Sequence, residues 1–354
     1  PPTRAQKGRY RSDSRSRQFA GDSITEGLTY EGGFAHMPIG GKKRTIAYRG
    51  LNTVTFHTKS CNDDTPDGTS GDNSNQNANP TVIQNARNLE MPRLDDQTGD
   101  IYSHYVTYRG EQVLNYTLDW HKEKKHSRWV AFVFTNTTSG TSWNRNNWKG
   151  TEWNGKVWEG DPFQPDPDIP AGERNELSDF SRSGYQRGHL CASADRLFSM
   201  DANGQTFYLS NMSPQMGSFN SPNWSDLETQ VRNWGRNNNF RDTLFVVKGG
   251  TIRDDQIIEY IGGKDPSSPT KVAVPKYYFM ALLCKKYDGG QNTYKAIGFW
   301  VEHKRYGTTP SLRTWAVSID ELEEKTGIDF FCNLPDRIEI PVEQTYNIES
   351  WSGL

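Results

Sequence analysis

Two side chains within GYQRGHLCASADR, residues 184–196, offer complementary chemistry. Arg187 is a permanent cation suited to phosphate, and His189 is a base that is neutral near pH 7. They flank Gly188, and in an extended segment positions i and i+2 share a face, so both point to one side. Gly188 permits close backbone approach. Further on, Asn220 carries a neutral, hard amide oxygen of the kind Mg2+ accepts. Glu228 follows and Arg232 lies four residues beyond it, which on one helix gives carboxylate and guanidinium a common face. A base, a cation, a neutral metal donor and a carboxylate are the parts of metal-assisted phosphodiester hydrolysis. Each alone has an ordinary structural use. An i,i+4 Glu–Arg pair is commonly a solvated surface pair worth ~0.3–0.5 kcal/mol, and an Asn ahead of a helix is commonly a turn residue.

The elements that must hold these residues are legible in outline. Ser221-Pro222 reads as a helix N-cap followed by proline at the first helical position. Trp224, Leu227, Val231 and Trp234 then repeat at helical spacing and define a core side, which leaves Glu228 at the border between core and cleft. Ser318 with Glu321 forms a capping box for a second helix ending near Thr326-Gly327. Residues 101–108, 112–120, 128–134, 243–247, 271–283 and 295–301 read as strands, and Asn203-Gly204 as a hairpin turn ahead of a strand at 205–209. The fold class is α+β with a mainly antiparallel central sheet flanked by helices.

The chemical residues also fall in ordered blocks. Gln186-Arg187-Gly188-His189 is followed by Ser210-Asn211-Met212-Ser213-Pro214-Gln215, then by Asn220, Trp224 and Glu228, with 31 residues from His189 to Asn220. In this order and spacing the chain resembles the DNA/RNA non-specific endonuclease family, the ββα-metal nucleases that include the Serratia-type nuclease and mitochondrial endonuclease G. The resemblance covers about Leu89 to Asp336, and HSRWVAFVF, VPKYYFMALL and SIDELEEKTGIDFFCNLPD look most like secreted Bacteroidetes-type members. It implies the ββα-metal nuclease fold and cleavage of DNA and RNA to 5'-phosphate ends. It further implies that His189 is the general base, that Asn220 is the direct protein ligand of one Mg2+ (Mn2+ able to substitute), and that Glu228 orients the metal's waters. Arg187 and Arg232 would bind phosphate and stabilise charge, and Asn211 would shape the site near the base. Lys156, in KVWEGDP, takes the place of a further family arginine. The family has Asp where this chain has Gln186; a neutral amide accepts but adds no charge, so retained activity with a weaker hold on the metal is expected.

Whole-chain composition narrows the alternatives. The 354 residues carry 41 Lys and Arg against 43 Asp and Glu, which excludes nucleic-acid binding by bulk charge alone. No stretch approaches the ~18 apolar residues of a membrane-spanning helix, while 11 Trp, 16 Tyr and 16 Phe supply a buriable core. Residues 1–61 read as a basic extension with a β-hairpin, residues 62–88 as a polar linker or long loop, and residues 89–354 as the nuclease domain. A homo-oligomer or surface partner would engage residues 1–61. Trp143, Trp148, Trp153 and Trp158, spaced five apart, suit either an aromatic-stapled loop or a stacking platform for bases or sugars. Cys61, Cys191, Cys284 and Cys332 include no CxxC pair and allow zero to two disulfides. A secreted, periplasmic or cell-surface location is expected from the resemblance. The rival to an enzyme is a weak or inactive nuclease-fold surface protein that binds nucleic acid, glycan or a protein partner; intact His189, Asn220 and Glu228 favour the enzyme.

Overall fold

Period-two alternation organises the centre of the molecule. Along residues 126–134, Val130, Phe132 and Phe134 enter one apolar core, while Trp129 and Ala131 enter the other. The computed structural model describes residues 43–48, 55–60, 73–78, 83–262, 272–308 and 310–354. It divides into two units, residues 1–70 and 71–354. In the first, β1 (Lys43–Tyr48) pairs antiparallel with β2 (Thr55–Ser60). Most of the basic extension, the partner role expected of it, and Cys61 lie outside the described residues.

In the second unit, seven strands form one antiparallel sheet: β3 (Asp100–Tyr108), β4 (Glu111–His121), β5 (His126–Phe134), β10 (Thr243–Gly250), β13 (Tyr277–Asp288), β14 (Gln291–Glu302) and β15 (Ala316–Val317). The order across it is β15-β14-β13-β10-β5-β4-β3. Three two-stranded antiparallel sheets complete the strands: β6 (Thr151–Trp153) with β7 (Lys156–Trp158), β8 (Gln186–His189) with β9 (Met212–Gln215), and β11 (Ile257–Ile261) with β12 (Val272–Pro275). Short helices α1 (Leu177–Phe180) and α2 (Met200–Gln205) lead into the site. Helix α3 (Ser225–Arg236) lays Leu227, Val231 and Trp234 on one face of the sheet, against Phe132, Val246 and Met280. On the opposite face, α4 (Ile319–Thr326) buries Ile319 and Leu322 against Val247, Phe279 and Ala281, with α5 (Asp336–Gln344) beside it. Among the described residues no helix is long and apolar enough to cross a membrane.

Three local expectations need correction. Ser221 is not an N-cap; it is extended (φ −139°, ψ 126°) within a wide turn over Phe219–Trp224, and α3 begins only at Ser225. Asn203-Gly204 is not a hairpin turn but lies inside α2, where Asn203 Oδ1 accepts from Trp148 Nε1 (2.8 Å) and its amide donates to Ser193. Finally, part of the polar stretch 62–88 is structure rather than linker. The Asn77 amide donates to the carbonyls of Ala86 and Pro92 and accepts from Leu94 N, and Asn85 donates to Thr117 Oγ1. Side-chain amides there satisfy backbone groups that a composition reading assigns to solvent.

Candidate active site

The antiparallel pair β8–β9 sets the register of the chemical residues: Gln186 opposes Gln215 and His189 opposes Met212. Gly188 is required by close packing, because a Cβ there would lie 2.1 Å from Gln215 Oε1. Beyond His189 the chain is pinned by Asn211, which is wholly buried. Its amide nitrogen donates to the carbonyls of Cys191 (2.9 Å) and Thr206 (2.7 Å), and its oxygen accepts from Cys191 N (2.8 Å). Asn211 therefore acts through the backbone that follows the base. Cys191 is a buried free thiol pushed up to about 11 by burial, which suits packing rather than nucleophilic attack.

His189 is half-buried, but its Nε2 is shielded and has no protein partner. The ring is gripped by Phe207 (centroids 5.0 Å, edge to face) and Phe163 (5.9 Å). Burial first, then the charges of Arg145, Lys248 and Arg187, push its pKa down to about 3, against an opposing pull from Asp161. The imidazole is thus neutral and presents an unpaired nitrogen. Arg187 lies with its guanidinium 3.9 Å over the Phe163 ring. Together with Gln186, Asn220, Tyr185 and Phe180, these two line a cleft of about 400 Å³. The Asn220 amide donates to Gln186 Oε1 (2.9 Å), which fixes the rotamer and turns the Asn220 oxygen away from Gln186. One neutral oxygen ligand is a donor set that fits Mg2+, an ion that keeps most of its waters.

The helix side of the site is more tightly paired than the sequence implied. Glu228 Oε1 meets Lys248 Nζ at 2.6 Å, and Lys248, on β10, is 1% exposed and sits over Trp224. Burial pushes the Glu228 carboxyl up, and Lys248 pulls it back down. Arg232 Nε bonds Asp195 Oδ1 at 2.9 Å. Glu228 and Arg232 do share one face of α3, but each is held by a partner that spacing on the helix did not show. Lys156 lies on the exposed strand β7, stacked 4.1 Å over Trp158, and does not line the cleft.

Two further residues at the candidate site carried no sequence expectation. Arg145 grips Asp161 through two hydrogen bonds, lies 5.0 Å over the Phe207 ring that flanks His189, and exerts the largest charge influence on that histidine. Its signal is RNNW upstream of an Asp-Pro. Lys248 is a lone lysine within the apolar strand TLFVVKGG, a sign of a buried partner. The Trp series resolves as an aromatic staple: Trp148, Trp153 and Trp158 are buried with Phe207 and Tyr208 beneath the site.

Elsewhere, His104 is clamped with Nε2 3.1 Å from Asp166 and Nδ1 3.2 Å from Asp168, and Ser210 donates to Asp166. Burial would push His104 down, but the two carboxylates raise it to about 9. This trio has metal-ligand types, yet both ring nitrogens already face carboxylates.

Comparison with known proteins identifies the family. The sequence pattern of the DNA/RNA non-specific endonuclease family matches residues 97–337, and the chain belongs to that family. Nuclease C1 of Cunninghamella echinulata var. echinulata is 32% identical over 173 residues, 47% of this chain and 65% of that protein. The mitochondrial nuclease of Saccharomyces cerevisiae is 30% identical over 182 residues, 47% of this chain and 52% of that protein. The chain thus spans about half to two-thirds of the length of these relatives. A chain in the crystal structure of the EndoG/EndoGI complex superposes with a TM-score of 0.54 at 22% identity, covering 73% of this chain and 94% of that one, and so shares the ββα-metal fold. The expected secreted, periplasmic or cell-surface location is overturned by the relatives: the yeast enzyme and human nuclease EXOG are both named mitochondrial.

Proposed function

We propose that this protein is a Mg2+-dependent, sequence-non-specific endonuclease that hydrolyses DNA and RNA to 5'-phosphate ends. The observation that carries the reading is the neutral His189, its shielded Nε2 unpaired, two residues along β8 from Arg187, which itself lines a cleft with Asn220. Arg187 and Arg145 hold the scissile phosphate, while Phe163 and Phe207 fix the His189 ring. His189 Nε2 takes the proton of the attacking water. Arg187 and Arg145 are among the cations that depress His189, and a phosphate held by them offsets their charge, so substrate binding raises its proton affinity. Asn220 would hold the Mg2+ directly, with Glu228 reaching it through water and kept in place by Lys248. Bound there, the metal supplies charge stabilisation for the pentacovalent phosphate and the leaving 3'-oxygen. Arg232 braces Asp195 and through it the α3 side of the site.

Plasmid DNA and RNA assays with and without EDTA, run beside His189→Ala, test this. Cleavage is expected to vanish in EDTA and to return with Mg2+ or Mn2+; cleavage insensitive to EDTA or to the substitution sinks the mechanism.

A further inference from the structure

The face of the sheet opposite α3 carries a group of acids that the nuclease reading does not use. Asp320 and Glu323 stand one turn apart on α4 and so share a side of the helix. Glu343, near the end of α5, points into the same space. One carboxylate oxygen from each of the three lies within 4.8 Å of those of the others. Glu343 is 6% exposed, and its Oε1 is buried with no hydrogen-bond partner. Glu323 is fixed from behind, because one of its oxygens accepts from Phe330 N at 2.7 Å. No basic side chain forms an ion pair with any of the three among the described residues. The nearby cations are engaged elsewhere, Arg93 with Asp329 (3.7 Å) and Lys325 with Glu321 (3.4 Å). Glu339, one turn before Glu343 and also buried, adds a further acid, although Asn75 donates to it at 2.7 Å.

A buried carboxylate with no partner, facing two more, repels itself unless it holds a proton, as burial and the neighbouring acids favour by pushing Glu343 up to about 11, or a cation displaces that proton and joins the three. The ligand set is all oxygen and all anionic, which selects a hard divalent cation over zinc, whose ligands are usually nitrogen and sulfur. Three oxygens no more than 4.8 Å apart lie at most about 2.8 Å from a common centre, so a slight side-chain closure brings all three to a Ca–O bond of about 2.3–2.6 Å. Mg2+ needs a tighter octahedron at about 2.0–2.1 Å and gives up its waters reluctantly. We propose that Asp320, Glu323 and Glu343 form a Ca2+ site that clamps α4 to α5, separate from the nuclease cleft.

The site can be tested without reading cleavage. The full chain carrying Asn220→Ala, which removes the ligand proposed for the catalytic metal, is stripped with EDTA and titrated with CaCl2 by calorimetry and thermal melting. One Ca2+ should bind, and the melting temperature should rise by about 5 °C or more at 100 times the Kd. Adding Glu343→Gln should abolish both effects while the Ca2+-free melting temperature stays level or rises, because a buried repulsion is relieved. Asp320→Asn, at the outer edge of the group, should weaken Ca2+ binding at least tenfold and covers the case in which Glu343→Gln does not fold. Absence of Ca2+ binding in the Asn220→Ala protein overturns the proposal. An undiminished Ca2+ response in the folded acidic-site variants overturns it equally, and a larger melting shift with MgCl2 than with CaCl2 overturns the choice of ion. A failed nuclease assay leaves all of these outcomes unaffected.

Discussion

His104 and His189 are both aromatic-flanked histidines within one unit, yet the protein drives them to opposite ends of the pH scale. His104 packs against Tyr116 and Tyr208 but faces two carboxylates, and is held charged, at about 9. His189 packs against Phe163 and Phe207, and burial together with three cations that outweigh Asp161 holds it neutral, at about 3. Aromatic walls are common to both, so the sign of the neighbouring charges makes the difference. The imidazolium is a fastener between β3 and the 166–168 loop. In the proposed mechanism the neutral ring is the tool, its nitrogen left without a partner.

Substitution should separate the two roles. His189→Ala should lower cleavage by about 10²–10⁴-fold with the melting temperature within a few degrees of wild type; a large loss of stability instead would make that histidine a fastener too. His104→Ala leaves Asp166 buried without its countercharge, a loss of about 3–5 kcal/mol, and should lower the melting temperature by roughly 10 °C. Residual activity per folded molecule should persist, as read by active fraction against circular dichroism. Arg145→Ala should reduce kcat/KM by about 10–100-fold, in line with losing a charged hydrogen bond of ~1.5–3 kcal/mol. Lys156→Ala, on the exposed hairpin, should change it less than about twofold. Equal effects from the two would remove Arg145 from the site.

The pH dependences should diverge in the same way. His104 has a folded pKa above its ordinary 6.5, so its stabilisation is complete below about pH 6.5 and is lost as pH rises through about 9. His189 has a folded pKa below 6.5, so it destabilises the fold only as pH falls from about 6.5 toward 3. In catalysis the acid limb of kcat/KM, which reports the free enzyme, should fall below pH 6, and that of kcat should lie higher once phosphate neutralises the arginines. Coincident limbs near 6.5 would contradict the depressed base. A modest effect is expected of Gln186→Asp, a roughly fivefold lower Mg2+ requirement, about what ~1 kcal/mol of added charge attraction gives.

Much of this was legible in the residues. The β-prone strands announced themselves, as did the apolar side of α3 and the Ser318 N-cap, because these are local patterns. The block from Gln186 to Glu228 supplied most of the site. What stayed hidden were partners joined only by folding: Lys248 for Glu228, Asp195 for Arg232, Arg145 beside the base and the two aspartates around His104. No periodicity links such pairs. Ser221-Pro222 misled because a helix-start signal was spent on a wide turn that carries Asn220 instead.

The asparagine-rich stretch before Leu89 has a consequence for how the protein can be divided. Asn73 N donates to the Asp336 carboxylate, Asn77 N to Asn333 Oδ1 and Gln76 Nε2 to the carbonyl of Leu334, so the segment caps the entry to α5. A fragment begun at Leu89, where composition suggests the boundary, would lack that cap; one begun before Asn73 would keep it. The passage that looks most expendable is a mortise for the far end of the chain, and natural length variation should fall upstream of it.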